Sequence, residues 1–356
     1  MSETVVITGA SGSLGRRVVA MAAAAADVDR VIAVDPDVLV ADLPSGVEVH
    51  ALEPDHPDVK GLFAVADVVV HLGSPLTVAP DGLPAGRSPL GELMVTRAVL
   101  DVAAAAGVAH VVMLSSAMVY GAWGNNPVPL TEDAPLRPDP NLAYAVARAE
   151  TERLALEWRT TQPGRTVAVL RPAVTVAAES AEWLAASPWS AASLRASGTD
   201  RPSQFLHLDD LASALDHARR HRLDGPFNVA SDGWLPADSL RDLAGPVGRL
   251  HLPPGLTRRV VSLRSDMGTS GPPEGWSYTQ HPWVVANDRL RATGWDARHR
   301  NEEVYIETDT GGPLASMSSK RRQELSLVAA AGLVAVGLGS LVWAIRRRHQ
   351  RSSASS

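Results

Sequence analysis

Val5-Val6-Ile7-Thr8-Gly9-Ala10-Ser11-Gly12-Ser13-Leu14-Gly15 is the stretch from which the fold is read. It opens on a short β-branched apolar run, the pattern of a parallel strand buried on both faces. Glycines follow at positions 9, 12 and 15. A helix is predicted from about Leu14, with Arg16 and Arg17 ahead of apolar Val18, Val19 and Met21. Strand, glycine turn and helix in this order form a dinucleotide-binding opening. The first glycine permits the tight turn, the second lets the backbone approach a pyrophosphate, and the third lets the helix pack on the strand. The helix N-terminus then offers N–H groups and a positive dipole end to the phosphates. Ser11, Ser13 and Leu14 lie in the same turn and join Gly9, Gly12 and Gly15 as predicted cofactor contacts. The alternative is a glycine-rich turn with no ligand. The acid that follows, Asp35, weighs against it.

Working outward, Val31-Ile32-Ala33-Val34-Asp35 reads as the second strand. An acid at its end accepts hydrogen bonds from the adenosine ribose and repels a 2′-phosphate, so Asp35 favours NAD over NADP. Further strands are predicted at 47–49, 67–73, 111–116 and 167–170, with helices over 93–106 and 141–160 between them. Strands that alternate with helices make a Rossmann-type doubly wound parallel sheet the expected α/β architecture.

The order of these pieces resembles the extended short-chain dehydrogenases/reductases of the NAD-dependent epimerase/dehydratase type, over roughly residues 4–300. The matching pieces are the Thr8–Gly15 turn, Asp67–Gly73, Ser115–Gly121, Tyr144-Ala145-Val146-Ala147-Arg148, Leu170-Arg171-Pro172-Ala173 and Phe205–Ala212. The resemblance implies that Tyr144 exchanges the proton of a substrate hydroxyl and that Ser116 holds the substrate oxygen. It implies cofactor contacts from Glu53 near the adenine, from Leu72 and Gly73, and from Pro172 near the nicotinamide. Position 148 is where the family carries a lysine that binds the nicotinamide ribose. Residues four apart share a helix face, so Tyr144 and Arg148 point the same way. Arginine keeps the positive charge but replaces a compact ammonium with a planar guanidinium that does not give up its proton. Other departures are Glu53 for an aspartate, Gly73 for an alanine, Glu92 for an asparagine and Val95 for a glycine.

The smaller substrate lobe is expected from residues 176–205 and 231–300. It holds Trp183, Trp189, Trp234, Trp276, Trp283 and Trp295, most of them read as core, with Trp295 closing the fold. His207 beside Asp209 and Asp210 has no further ligands at useful spacing, so it is read as structural or cofactor-proximal and no metal site is expected. Glu150, Glu152, Arg153 and Glu157 are read as a solvated helix face. His281-Pro282-Trp283 has no assigned role.

The 356 residues contain no cysteine, which excludes disulfides and thiolate chemistry. The first strand begins within a few residues of Met1, which leaves no room for a signal peptide. Net charge is −6, yet residues 320–351 hold Lys320, Arg321, Arg322, Arg346, Arg347, Arg348 and Arg351 against the single acid Glu324. The rest is more acidic still and a poor match for nucleic acid. Residues 325–345 carry no charge and span about 30 Å as a helix, the depth of a bilayer core. Basic clusters bracket them and Trp343 sits near one end. The expected layout is a domain at 1–309, a linker at 310–324, a transmembrane helix at 325–345 and a basic tail at 346–356. Ala331, Ala335 and Gly339 would let two such helices pack closely, which leaves a homodimer open. Cofactor use implies a cytoplasmic domain on a single-pass anchor in the cell membrane, although the heavier basic cluster on the far side favours the reverse orientation.

Two functions follow. The first is an NAD-dependent oxidoreductase or epimerase acting on a small hydroxyl-bearing substrate such as a nucleotide sugar, a lipid-linked sugar or a sterol-like alcohol. The second is an NAD-binding sensor or scaffold whose active site Arg148 has weakened.

Overall fold

Alternating apolar strands and amphipathic helices build a seven-stranded parallel sheet covered on both faces. The computed structural model describes residues 2–38, 40–73, 77–78, 84–85, 88–177, 201–243 and 277–308. The first half runs β1 (Glu3–Thr8), α1 (Ser13–Ala24), β2 (Val28–Val34), β3 (Glu48–His50), α2 (Val59–Phe63), β4 (Val68–His71), a small antiparallel pair β5 (Thr77–Val78) and β6 (Pro84–Ala85), then α3 (Pro89–Ala106). It continues with β7 (His110–Leu114), a 3-10 turn at Ala117–Tyr120, α4 (Ala143–Thr160), β8 (Thr166–Pro172) and β9 (Val174–Val176). After these come β10 (Phe205–His207), α5 (Leu208–Arg220), β11 (Gly225–Val229), α6 (Ala237–Leu243), α7 (Ser277–Gln280), α8 (Asp288–Arg291) and α9 (Asn301–Thr308).

The strand order is β3-β2-β1-β4-β7-β8-β11, and every neighbouring pair is parallel. The chain winds outward from β1 to β3, then restarts at β4 on the other side of β1. That switch point opens a crevice at the carboxyl ends of the strands, where ligands bind in sheets of this kind. Side-chain alternation explains the two layers. Val5 and Ile7 of β1 face the core under α1 and α5, whereas Val6 faces the core under α2, α3 and α4. All three are fully buried, as the opening run predicts.

α5 is tied to the first strand by charge. Arg219, 1% exposed, donates to Glu3 at 2.8 Å and to Asp27 at 3.1 Å, and it also pairs with Asp216 on its own helix. Its hydrogen bonds hold the Asp27 carboxyl below the usual range. Arg222 donates to the other Glu3 oxygen at 2.6 Å.

Several boundaries differ from the sequence reading. α3 begins four residues early because Ser88 caps it, accepting from the Gly91 N–H at 3.1 Å, with Pro89 at the first helical position. β11, which carries Pro226 and Asn228, escaped prediction. It is an edge strand, where proline is tolerated. The solvated-face reading of α4 holds for Glu150, Arg153 and Glu157, which pair with one another at the surface. It is wrong for Glu152, which is fully buried on the stripe with Ala145, Arg148 and Ala155. His207 caps α5, accepting from the Asp209 N–H at 3.1 Å, and stacks on His299. Trp295 is buried, and its indole N–H donates to Ser213 at 2.9 Å. Trp283 is buried against Tyr278, which gives the His281-Pro282-Trp283 segment a packing role, whereas Trp234 is partly exposed.

Among the described residues, no helix is long and apolar enough to cross a membrane. The predicted span 325–345, its linker and tail lie outside the described residues, as do Trp183, Trp189 and Trp276.

Candidate active site

The glycine turn joins β1 to α1 beneath the switch point. Gly9 has φ +81°, and a Cβ there would press on Leu72 at 3.2 Å and on the Gly73 carbonyl at 3.4 Å. A Cβ at Gly15 would lie 2.2 Å from the Gly9 carbonyl oxygen, so helix and strand touch backbone to backbone. Gly12 differs. Nothing lies within 4 Å of where its Cβ would be. It is the N-cap of α1, no side chain caps the helix, and the first turn carries no acid. An open glycine face before uncapped N–H groups suits a pyrophosphate. At the end of β2, Asp35 is buried and accepts the backbone N–H of Ser11 at 3.3 Å and of Asp37 at 2.9 Å, which fixes its carboxylate beside the turn. Glu53 lies exposed in the loop after β3. These residues fit an adenine dinucleotide.

The residues expected at the reacting end lie past β4, β7 and β8. Leu72 and Gly73 follow β4, and Ser116 follows β7. The Ser116 hydroxyl accepts from the Met118 N–H at 3.2 Å, which fixes the oxygen and leaves its proton to donate. Tyr144 stands in the first turn of α4, partly buried. Arg148, one turn on, is 2% exposed. Its guanidinium carbon lies 5.2 Å from the Tyr144 ring centroid, and its Nη1 donates to the Leu114 carbonyl at 3.1 Å. Burial opposes the charge on Arg148, but Tyr144 and Glu92 outweigh it and hold its pKa above the usual arginine value. Glu92 Oε1 is 3.8 Å from Arg148 Nη1. Below them His71 is buried between the hydroxyls of Thr8 (2.7 Å) and Thr96 (3.0 Å), and burial pushes its pKa down to about 4.

A buried polar frame backs Ser116. Ser115 donates to Glu152, and Arg171 grips the same carboxylate at 2.6 Å through Nη2 and at 3.0 Å through Nε. Arg171 Nη1 reaches the Tyr120 hydroxyl at 2.7 Å, and Tyr120 donates to Asn228 at 2.8 Å. Burial drives the Tyr120 pKa up to about 12, so it serves as a fixed donor. Pro172 ends β8. Beyond it, Ala173, Val174, Arg201, Gln204, Phe205 and Trp283 line a small cleft with room for about one water. Arg201 is buried there, and desolvation lowers its pKa to about 10. The sequence reading passed over Arg201 and placed Glu152 on a solvated face. Glu152 was detectable, because it lies four residues from Arg148 on one face. Arg201 stands in a loop with no periodicity to mark it.

Sheet order, glycine turn and the Tyr144–Arg148 face define a dinucleotide-binding fold of the short-chain dehydrogenase/reductase class. A model of the "NAD dependent epimerase/dehydratase family" matches residues 5–230, and the chain belongs to that family, whose cofactor is NAD. Uncharacterized proteins of Mycobacterium tuberculosis and Mycobacterium bovis are 28% identical over 336 residues, covering 90% of this chain and 87% of theirs. Among solved structures, a short-chain dehydrogenase/reductase superfamily protein from Agrobacterium tumefaciens with bound NAD superposes with a TM-score of 0.62 at 21% identity, over 92% of this chain and 99% of that one. The UDP-glucose 4-epimerase of Thermotoga maritima, with UDP-glucose, gives 0.60 at 18% identity, over 86% and 97%. At these identities the structures establish the shared fold.

Proposed function

We propose that the protein is a membrane-tethered NAD-dependent oxidoreductase or epimerase acting on a hydroxyl-bearing substrate. The observation that carries this reading is the buried Arg148 guanidinium set against the Tyr144 ring, 5.2 Å from its centroid, at the carboxyl ends of the strands. Bound NAD supplies the hydride acceptor. Tyr144 takes the hydroxyl proton with the Arg148 cation beside its ring. Ser116, its oxygen held by Met118, donates to the substrate oxygen. Asp35 supports NAD over NADP.

Of the three substrate classes, a nucleotide sugar receives the most support. Arg201 places a buried positive group beyond Pro172, a chemistry suited to a phosphate. The uncharged run 325–345 with its basic brackets supports a single-pass anchor in the cell membrane, and the cofactor supports a cytoplasmic domain. Ala331, Ala335 and Gly339 support pairing of two copies in the bilayer.

A second reading, an NAD-binding sensor or scaffold, is favoured by the engagement of Arg148 with Leu114 and Glu92, which ties its guanidinium into the fold. Calorimetric titration of the full-length chain in detergent with NAD and NADP, beside Asp35→Ala, tests the cofactor site. NAD is expected to bind at least about tenfold more tightly than NADP, with the preference lost in the variant. Absence of NAD binding by the folded protein overturns both readings. Nucleotide-sugar turnover then separates them: Arg148→Lys should not raise the activity of an enzyme adapted to arginine, whereas a large gain marks a weakened site.

A further inference from the structure

Three positions where the chain departs from its family pattern meet at one point. Gly73 has φ +63°, and a Cβ there would lie 2.1 Å from Glu92 Oε1 and 2.9 Å from Arg148 Nη1. A residue with a side chain at 73 would collide with both. Glu92 and Arg148 are 5% and 2% exposed, and their charged atoms come within 3.8 Å. They approach from different elements, α3 and α4, over the loop that leaves β4. Buried charges this close are tolerated as a pair and costly singly. Arg148 is also the group in contact with Tyr144.

We propose that Glu92 is a positioning residue of the cofactor site that cancels the charge of Arg148, so that the nicotinamide beside Tyr144 meets a neutral pair instead of a lone cation. This rests on the reading that NAD binds with its nicotinamide near Tyr144. An oxidised nicotinamide ring carries a positive charge that the reduced ring lacks. An uncompensated cation nearby weakens NAD+ relative to NADH, and a carboxylate paired with it removes that bias. Gly73 is what admits the carboxylate, so residues 73, 92 and 148 act as one unit.

The test is the ratio of Kd for NAD+ to Kd for NADH, measured by calorimetry on the full-length protein in detergent. Three variants accompany the wild type: Glu92→Gln, Glu92→Gln with Arg148→Lys, and Glu92→Gln with Arg148→Gln. The first two leave one net positive charge at the pair and the third leaves none. A unit charge about 10 Å away at an effective dielectric near 20 shifts the ratio by roughly tenfold. The ratio is expected to rise by that factor in both charged variants and to return to the wild-type value in the neutral one. If Glu92→Gln does not fold, the lysine double variant carries the comparison. Equal losses for NAD+ and NADH in all three variants mean that the pair only fills space, and this overturns the proposal while leaving the NAD reading intact. A wild type that binds neither form removes the NAD reading and the proposal together.

Discussion

Gly12 and Gly15 belong to one glycine turn, yet the structure gives them opposite tasks. Alanine at 15 would put a methyl 2.2 Å from the Gly9 carbonyl oxygen and 2.7 Å from Ala10 backbone atoms. Neither neighbour is a side chain that can swing aside, so α1 has to lift off β1. Overpacking of this kind costs about 3 kcal/mol, which in a domain of this size lowers Tm by roughly 5 °C. Alanine at 12 meets nothing within 4 Å, and its backbone φ of −67° is ordinary for any residue. Alanine caps a helix less well than glycine, but it lowers unfolded-chain entropy by a comparable amount, so stability should stay within about 0.5 kcal/mol. The added methyl then stands where the pyrophosphate approaches, and NAD affinity should fall at least about tenfold, or 1.4 kcal/mol. Urea unfolding and NAD calorimetry on both variants separate the effects. Gly12→Ala binding NAD like the wild type would refute the placement of the cofactor over that face. Unchanged stability in Gly15→Ala would refute the packing argument.

Three more outcomes follow from geometry already given. Glu152→Gln or Arg171→Met should each cost about 3–5 kcal/mol in urea unfolding, because each strands a buried charge, whereas replacing both with apolar residues of similar volume should recover most of the loss. Burial holds His71 and His110 near pKa 4 in the folded protein, below their ordinary 6.5, so below about pH 6.5 the unfolded chain binds protons that the folded one does not. Stability should therefore be complete above pH 6.5 and fall as pH drops toward 4, by on the order of 3 kcal/mol for each histidine; His71→Gln should flatten the pH dependence of the urea midpoint, and an unchanged slope counts against it. A chain ending before Lys320 should leave the membrane fraction on sedimentation while the full-length chain stays, and equal partition of the two refutes the anchor.

The sheet was legible because its strands are covered on both faces and must be apolar throughout, as in Val5-Val6-Ile7 and Val68-Val69-Val70. The glycine turn was legible because the left-handed φ of Gly9 and the backbone contact at Gly15 favour glycine there, and Gly12 completes the spacing. Elements set by tertiary context were hidden. β11 hides behind Pro226, which only an edge position permits. Glu152 hides among acids that do face solvent, since its partner Arg171 lies 19 residues away on another strand. Gly73, Glu92 and Arg148 read as separate departures in sequence, because nothing local in the chain tells that the loop after β4, α3 and α4 bring them into contact.

The clamp of Arg219 and Arg222 on Glu3 has a consequence for how the chain is made. Glu3 begins the strand that carries the glycine turn, and its partner Arg219 comes 216 residues later in the sequence. During synthesis from the N-terminus, β1 leaves the ribosome long before the cations that tie down its start. Until then Glu3 stays in water and the apolar face of α1 waits for α5 to cover it. Contacts this distant in sequence slow folding and leave the partly made chain exposed to aggregation. The dinucleotide turn is thus written first and finished among the last, when residues beyond 222 have emerged.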